Sequence, residues 1–131
     1  MNSTAPVTLL QAAGEALPFE PSSFDCVVST WTLCSVLDPD LVLREIGRVL
    51  KPGGRFLYVE HGRSPDENVS RWQDRLNPAW RRFAGGCNIN RPFSKILAES
   101  DLRALSQNAA YGPGPRLFAF FYQGTAVRGC D

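Results

Sequence analysis

Residues 24–61 change hydrophobic period twice, and each change marks an element. Phe24-Asp25-Cys26-Val27-Val28-Ser29-Thr30 is a short, mostly apolar run with the β-branched content of a buried strand. After a polar-edged loop, Val42, Leu43, Ile46, Val49 and Leu50 share one stripe at helical spacing, while Arg44, Glu45 and Arg48 point away. Asp38 is placed to cap the first free amides and Pro39 suits the first helical position, so the pattern predicts a helix over 38–50. Lys51 meets the negative end of the helix dipole, Pro52 stops the helix, and Gly53-Gly54 turn the chain. Arg55-Phe56-Leu57-Tyr58-Val59-Glu60-His61 then reads as a second strand. Strand, crossover helix and strand predict a right-handed βαβ unit in a parallel sheet. Open parallel sheets bind ligands at the carboxyl ends of their strands.

Beyond His61 the pattern is less regular. Ser64–Asn68 reads as a loop, and Trp72, Leu76, Trp80 and Phe83 recur at helical spacing, with Pro78 expected to kink or divide that helix. Pro92–Leu105 is expected to be a second helical stretch, with Phe93, Ile96, Leu97 and Leu102 inward. Gly112-Pro113-Gly114-Pro115 is a turn. Leu117–Tyr122 is apolar on both faces, as in a central strand, and is expected to pair antiparallel with Leu105–Tyr111.

Composition narrows the class. The 131 residues make one domain, 44% hydrophobic and 21% charged, ordinary for a water-soluble globular protein. A net charge of +1 gives no pull towards nucleic acid. No apolar run approaches membrane-spanning length and no basic-plus-apolar leader pattern begins the sequence, so the expected location is cytoplasmic. Cys26, Cys34, Cys87 and Cys130 are unevenly spaced with no C-x-x-C, which favours reduced thiols over a metal site or a disulfide framework.

Four pieces, in order, carry a family signal: Gly14-Glu15-Ala16-Leu17-Pro18-Phe19, Ser23-Phe24-Asp25, Leu43-Arg44-Glu45-Ile46, and Arg48-Val49-Leu50-Lys51-Pro52-Gly53-Gly54-Arg55. Together they resemble the type 11 group of class I S-adenosylmethionine (SAM)-dependent methyltransferases. Glu60-His61, Trp72, Pro78, Trp80 and Gly86-Cys87 look like its thiol S-methyltransferase branch. The implied fold is α/β: part of a Rossmann-like methyltransferase sheet, its third to seventh strands, ending in an antiparallel hairpin. Val7–Ala12 would be the third strand. In the family a glycine-rich turn after the first strand cradles the cofactor, and no such G-x-G precedes Val7. The expectation is therefore a single, incomplete methyltransferase domain, a truncated chain in which Asp25–Thr30 has an unpaired edge able to self-associate.

The resemblance also assigns residues. Ala13, Gly14 and Glu15 would meet the adenine end of SAM, with alanine standing where the family often has Asp or Asn. Thr30 and Leu33 would line its methionine end. His61, the single histidine, ends a parallel strand, the right place for a general base, or else it serves as a pocket wall. Cys34, Trp72 and Trp80 would line the acceptor pocket, with Trp72–Phe83 as its lid. The expected function is methyl transfer from SAM to a small, apolar acceptor. The alternatives are an inactive fragment or sheet-completing interaction module, and a membrane-surface role for the arginine-flanked Trp72–Phe83 segment.

Overall fold

The computed structural model describes residues 6–116 and 118–129. Helix α1 spans Pro39–Val49, where the Asp38 side chain accepts from the Leu41 amide and Val42, Leu43, Ile46 and Val49 are buried. It joins β1 (Phe24–Thr30) to the parallel strand β2 (Leu50–His61). The Lys51–Gly54 turn lies inside β2 as an irregularity: Phe24 pairs with Leu50, and Cys26 next with Arg55. Gly53 takes φ 79°, and a Cβ on Gly54 would stand 2.8 Å from the Lys51 carbonyl oxygen, so the turn needs both glycines.

Two strands complete the sheet, β3 (Leu102–Tyr111) and β4 (Phe120–Arg128), in the order β1-β2-β4-β3. Strand β4 runs antiparallel to both β2 and β3. The expected final hairpin forms, but its second strand begins at Phe120; Leu117 lies outside the described residues. Phe56, Tyr58, Phe120, Tyr122 and Ala126 turn one sheet face into the core, against Leu43 and Ile46 of α1 and against Phe93 and Leu97 of α3 (Phe93–Ala98). On the other face Val28 is 64% and Leu57 38% exposed, and β1 has no strand on its outer edge among the described residues.

Three elements differ from expectation. Val7–Ala12 forms no strand, and Val7, Leu9 and Leu10 are exposed. Apolar alternation without a partner edge leaves backbone groups to water, and no described strand pairs with this segment. The stretch 92–105 divides: α3 ends at Ala98, and Leu102 already belongs to β3. The Ser100 hydroxyl explains the break, donating back to the Leu97 carbonyl and accepting from the Leu102 amide. Helix α2 (Glu67–Phe83) runs unbroken through Pro78, with a polar inward face of Ser70, Gln73 and Asn77. Gln73 accepts from the Ser64 amide and donates to the Gly62 carbonyl, and Asn77 accepts from the Ile89 amide. These anchors, one turn before Pro78 and immediately beside it, offset the missing amide.

Candidate active site at the carboxyl ends of the parallel strands

Glu60 organises this end of the sheet. It is fully buried near the end of β2, and its side chain crosses to the loop that leaves β1. There it accepts from the Ser29 hydroxyl at 2.8 Å, the Thr32 amide at 3.0 Å and the Leu33 amide at 3.1 Å. Burial pushes its carboxyl up, against these donors, which favour the charge. The loop can face Glu60 because Trp31 adopts φ 54°, a left-handed conformation costly for a bulky residue. Its indole then packs on the His61 ring, centroids 4.5 Å apart, and on Phe121 at 4.9 Å. Strained backbone of this kind concentrates at functional sites.

The same loop delivers Cys34 to a second loop that follows α2. Cys34 and Cys87 are both buried, and their sulfurs lie 3.1 Å apart although 53 positions separate them in sequence. His61 Nδ1 is 3.7 Å from the Cys87 sulfur. The approach is built, not incidental. The Asn88 amide donates to the Cys34 carbonyl at 2.8 Å and its side chain does so at 3.1 Å. Asn77 donates to the Asn88 side chain, and Arg91 donates to the Leu33 carbonyl.

The two thiols share protons unequally. Cys87 falls to about 6, chiefly through its hydrogen bond with Cys34 and in spite of burial. Cys34 is pushed up to about 12 by that same hydrogen bond and by burial. Trp80 stacks on Phe118 with centroids 4.4 Å apart; its buried indole N–H meets no acceptor in hydrogen-bonding geometry, yet lies near enough to favour the Cys87 thiolate. The result is a buried sulfur, its thiolate favoured, beside an imidazole.

The expected residues gather unevenly. Cys34, His61 and Trp80 lie in one side-chain cluster with Cys87. Trp72 does not join them: it stands 54% exposed on the outer face of α2, with Arg75 over its ring. Leu33 is 1% exposed within the main core, and Thr30 is exposed at the end of β1. Ala13 is exposed, Gly14 lies against Val42, and the Glu15 carboxylate accepts from the Asp38 amide at 3.4 Å. Leu33 faces inward, and its amide is taken by Glu60. Cys87 as a partner of Cys34 went unread in the sequence, because nothing in their spacing links them. The polar stripe Ser70, Gln73, Asn77, at helical spacing, was the legible sign that α2 buries its polar side.

Comparison with known proteins agrees with this architecture. A family model described as a methyltransferase domain matches residues 1–58. The human thiol S-methyltransferase TMT1A is 38% identical over 104 residues, 78% of this chain and 43% of the relative. The ubiquinone/menaquinone biosynthesis C-methyltransferase UbiE of Escherichia coli is 44% identical over 114 residues, 80% of this chain and 45% of the relative. The chain thus spans less than half the length of these curated relatives. A solved structure described as a putative methyltransferase of Bacillus halodurans superposes with a TM-score of 0.73 at 15% identity, covering 91% of this chain and 70% of that one. By sequence, and with a fold to match, the chain belongs to the type 11 group of class I SAM-dependent methyltransferases.

Proposed function

We propose that these residues form the acceptor side of an enzyme that transfers a methyl group from SAM to a small, apolar acceptor, a thiol foremost. The observation that carries the reading is the side-chain cluster at the carboxyl ends of β1 and β2, where the rings of Trp31, Phe121 and His61 contact one another beside buried Cys34 and Cys87. The similarity to TMT1A points to thiols, and UbiE marks quinol-type acceptors as the next class to try. SAM would supply an electrophilic methyl on its sulfonium, a displacement that depends on alignment more than on acid–base help. Ala13, Gly14, Glu15 and Thr30 would hold the cofactor's near wall. The aromatic cluster would orient the acceptor, and His61 would take the acceptor's proton.

A second reading has its own support. The outer edge of β1, unpaired among the described residues, and the exposed Val28 and Leu57 suit a module that completes another polypeptide's sheet without catalysis. Two measurements separate them. In calorimetric titration the 131-residue chain should bind SAM more weakly than micromolar, since its one G-x-G, Gly112-Pro113-Gly114, lies in the β3–β4 hairpin turn rather than between a strand and a helix. Micromolar or tighter binding would show that these residues alone make a complete cradle. Joined to the N-terminal half of TMT1A, the chain should transfer labelled methyl from SAM to a small alkyl thiol. Trp80→Ala should then raise the acceptor's KM several-fold with little effect on SAM affinity, while Trp72→Ala changes neither. If the joined protein binds SAM but methylates neither thiols nor quinols, the sheet-completing reading replaces the enzymatic one. For the membrane-surface alternative, no helix among the described residues is long and apolar enough to cross a membrane. Trp72 on the outer face of α2 leaves surface contact as a further outcome, read by vesicle binding.

A further inference from the structure

We infer that Cys34, Cys87 and His61 form a three-ligand site for a thiophilic d10 cation, zinc before others. Their ligand atoms all lie within 4.8 Å of one another, with the sulfurs 3.1 Å apart and Cys87 Sγ 3.7 Å from His61 Nδ1. Tetrahedral zinc, with Zn–S about 2.3 Å and Zn–N about 2.0–2.1 Å, needs sulfur–sulfur edges of about 3.8 Å and sulfur–nitrogen edges of about 3.5 Å. The Cys87–His61 edge, at 3.7 Å, already fits, and the Cys34–His61 edge lies within 4.8 Å. The two sulfurs would have to separate by about 0.7 Å to reach the tetrahedral sulfur–sulfur edge, the shared proton giving way to the cation.

Donor chemistry selects the ion. Two thiolates and an imidazole suit zinc or copper(I) and disfavour magnesium or calcium, which want oxygen ligands. The surroundings resemble the outer shell of a metal site more than a plain core. Asn77, Asn88 and Arg91 clamp the two cysteine loops by their carbonyls and side chains, and Glu60 fixes the amides just before Cys34. Outer hydrogen bonds of this kind hold ligands in place before the ion arrives. Two buried cysteines placed for packing alone need no such clamp and no imidazole turned towards them. Three protein ligands leave the fourth tetrahedral position to water or a ligand from solution, the pattern of catalytic rather than structural zinc. The site draws on residues of the proposed acceptor site, and a metal-bound His61 would not take the acceptor's proton; its test involves no SAM, so its failure and that of the methyl-transfer reading are distinguishable.

The test is metal content and cobalt substitution on the full chain, purified under reducing, oxygen-free conditions. One zinc per chain is expected by elemental mass spectrometry. Replacement by cobalt(II) should give a thiolate-to-cobalt charge-transfer band and the intense visible bands of tetrahedral coordination. Cys34→Ser, Cys87→Ser and His61→Ala should each weaken zinc binding by about 100-fold or more in chelator competition, beyond the usual effect of outer-shell changes. Cys26→Ser, at an exposed position in β1, should leave it unchanged. Should the ligand variants fail to fold, the cobalt spectrum of the unaltered protein still decides: without a thiolate charge-transfer band, the inference is wrong. It is equally wrong if zinc follows Cys26, or if thiol titration finds Cys34 and Cys87 joined in a disulfide with no metal bound.

Discussion

Gly124→Ala should destabilise the protein by about 3 kcal/mol or more, the upper end of the cost of overpacking a fixed backbone. Gly124 sits in the middle of β4, opposite Tyr58 on β2 and Gln107 on β3. A Cβ there would stand 2.1 Å from the Ser106 carbonyl oxygen, 2.9 Å from the Gln107 Cα and 2.9 Å from the Tyr58 hydroxyl. Two of those atoms are backbone, so no rotamer change relieves the clash. The crowding has a local cause: the β3–β4 register slips between Ala104 and Ser106, which presses the Ser106 carbonyl across the ladder. Gly129→Ala is the control, since nothing lies within 4 Å of its Cβ position, and it should change stability by less than about 0.5 kcal/mol. Urea unfolding of the two variants reads the contrast. Equal midpoints for both would mean that β3 yields easily and the register is not fixed as described.

How far the sequence reached depends on the range of the interactions involved. Helix α1 was legible almost residue by residue, because its cap, its first-turn proline and its stripe are local features of 38–50. The parallel pairing of β1 and β2 followed from that helix. The hairpin was legible as a pairing, although the slip near Leu105 and the onset of β4 at Phe120 depend on packing that no local pattern encodes. Val7–Ala12 has a strand's composition without a described partner, and composition alone does not make a strand. On α2 the aromatic spacing of Trp72, Leu76, Trp80 and Phe83 suggested the inner face, yet Phe83 is 89% exposed and the helix docks through Gln73 and Asn77. Hydrogen bonds to loop backbone outweighed apolar burial there, because those loops carry amides and carbonyls that must be satisfied. His61 was legible at the site because a parallel strand's carboxyl end is a rule of topology. The meeting of Cys34 with Cys87 is tertiary, and spacing rules for cysteines do not reach it.

Glu60→Ala should cost about 3 kcal/mol or more and should disorganise the cluster, because a single carboxylate fixes the loop that carries Cys34. Removing it leaves the half-buried Ser29 hydroxyl and the buried Leu33 amide without their acceptor, at about 1–3 kcal/mol for a fully buried unsatisfied group and less for Ser29. The Thr32 amide adds less, since Thr32 is exposed and water can replace the lost partner. Glu60→Gln is the informative companion. It keeps the volume and one acceptor oxygen, so it should lose less than alanine does. It should also remove a pH dependence whose sign follows from burial. The folded-state pKa of Glu60 is raised, so the native protein holds this proton more tightly than the unfolded chain. Stability on its account is full at pH values below the ordinary carboxylate range and is lost as pH rises through the folded value. Subtracting the Gln variant's stability–pH curve from that of the unaltered protein should therefore leave a difference that declines as pH rises through that window. A difference that rises over the same window would mean that the donors outweigh burial and hold the carboxylate charged. Cobalt binding separates local from global effects: at a pH where Glu60→Gln is fully folded, it should retain the thiolate-to-cobalt band, whereas Glu60→Ala, even where still folded, should lose most of it as Cys34 drifts from Cys87.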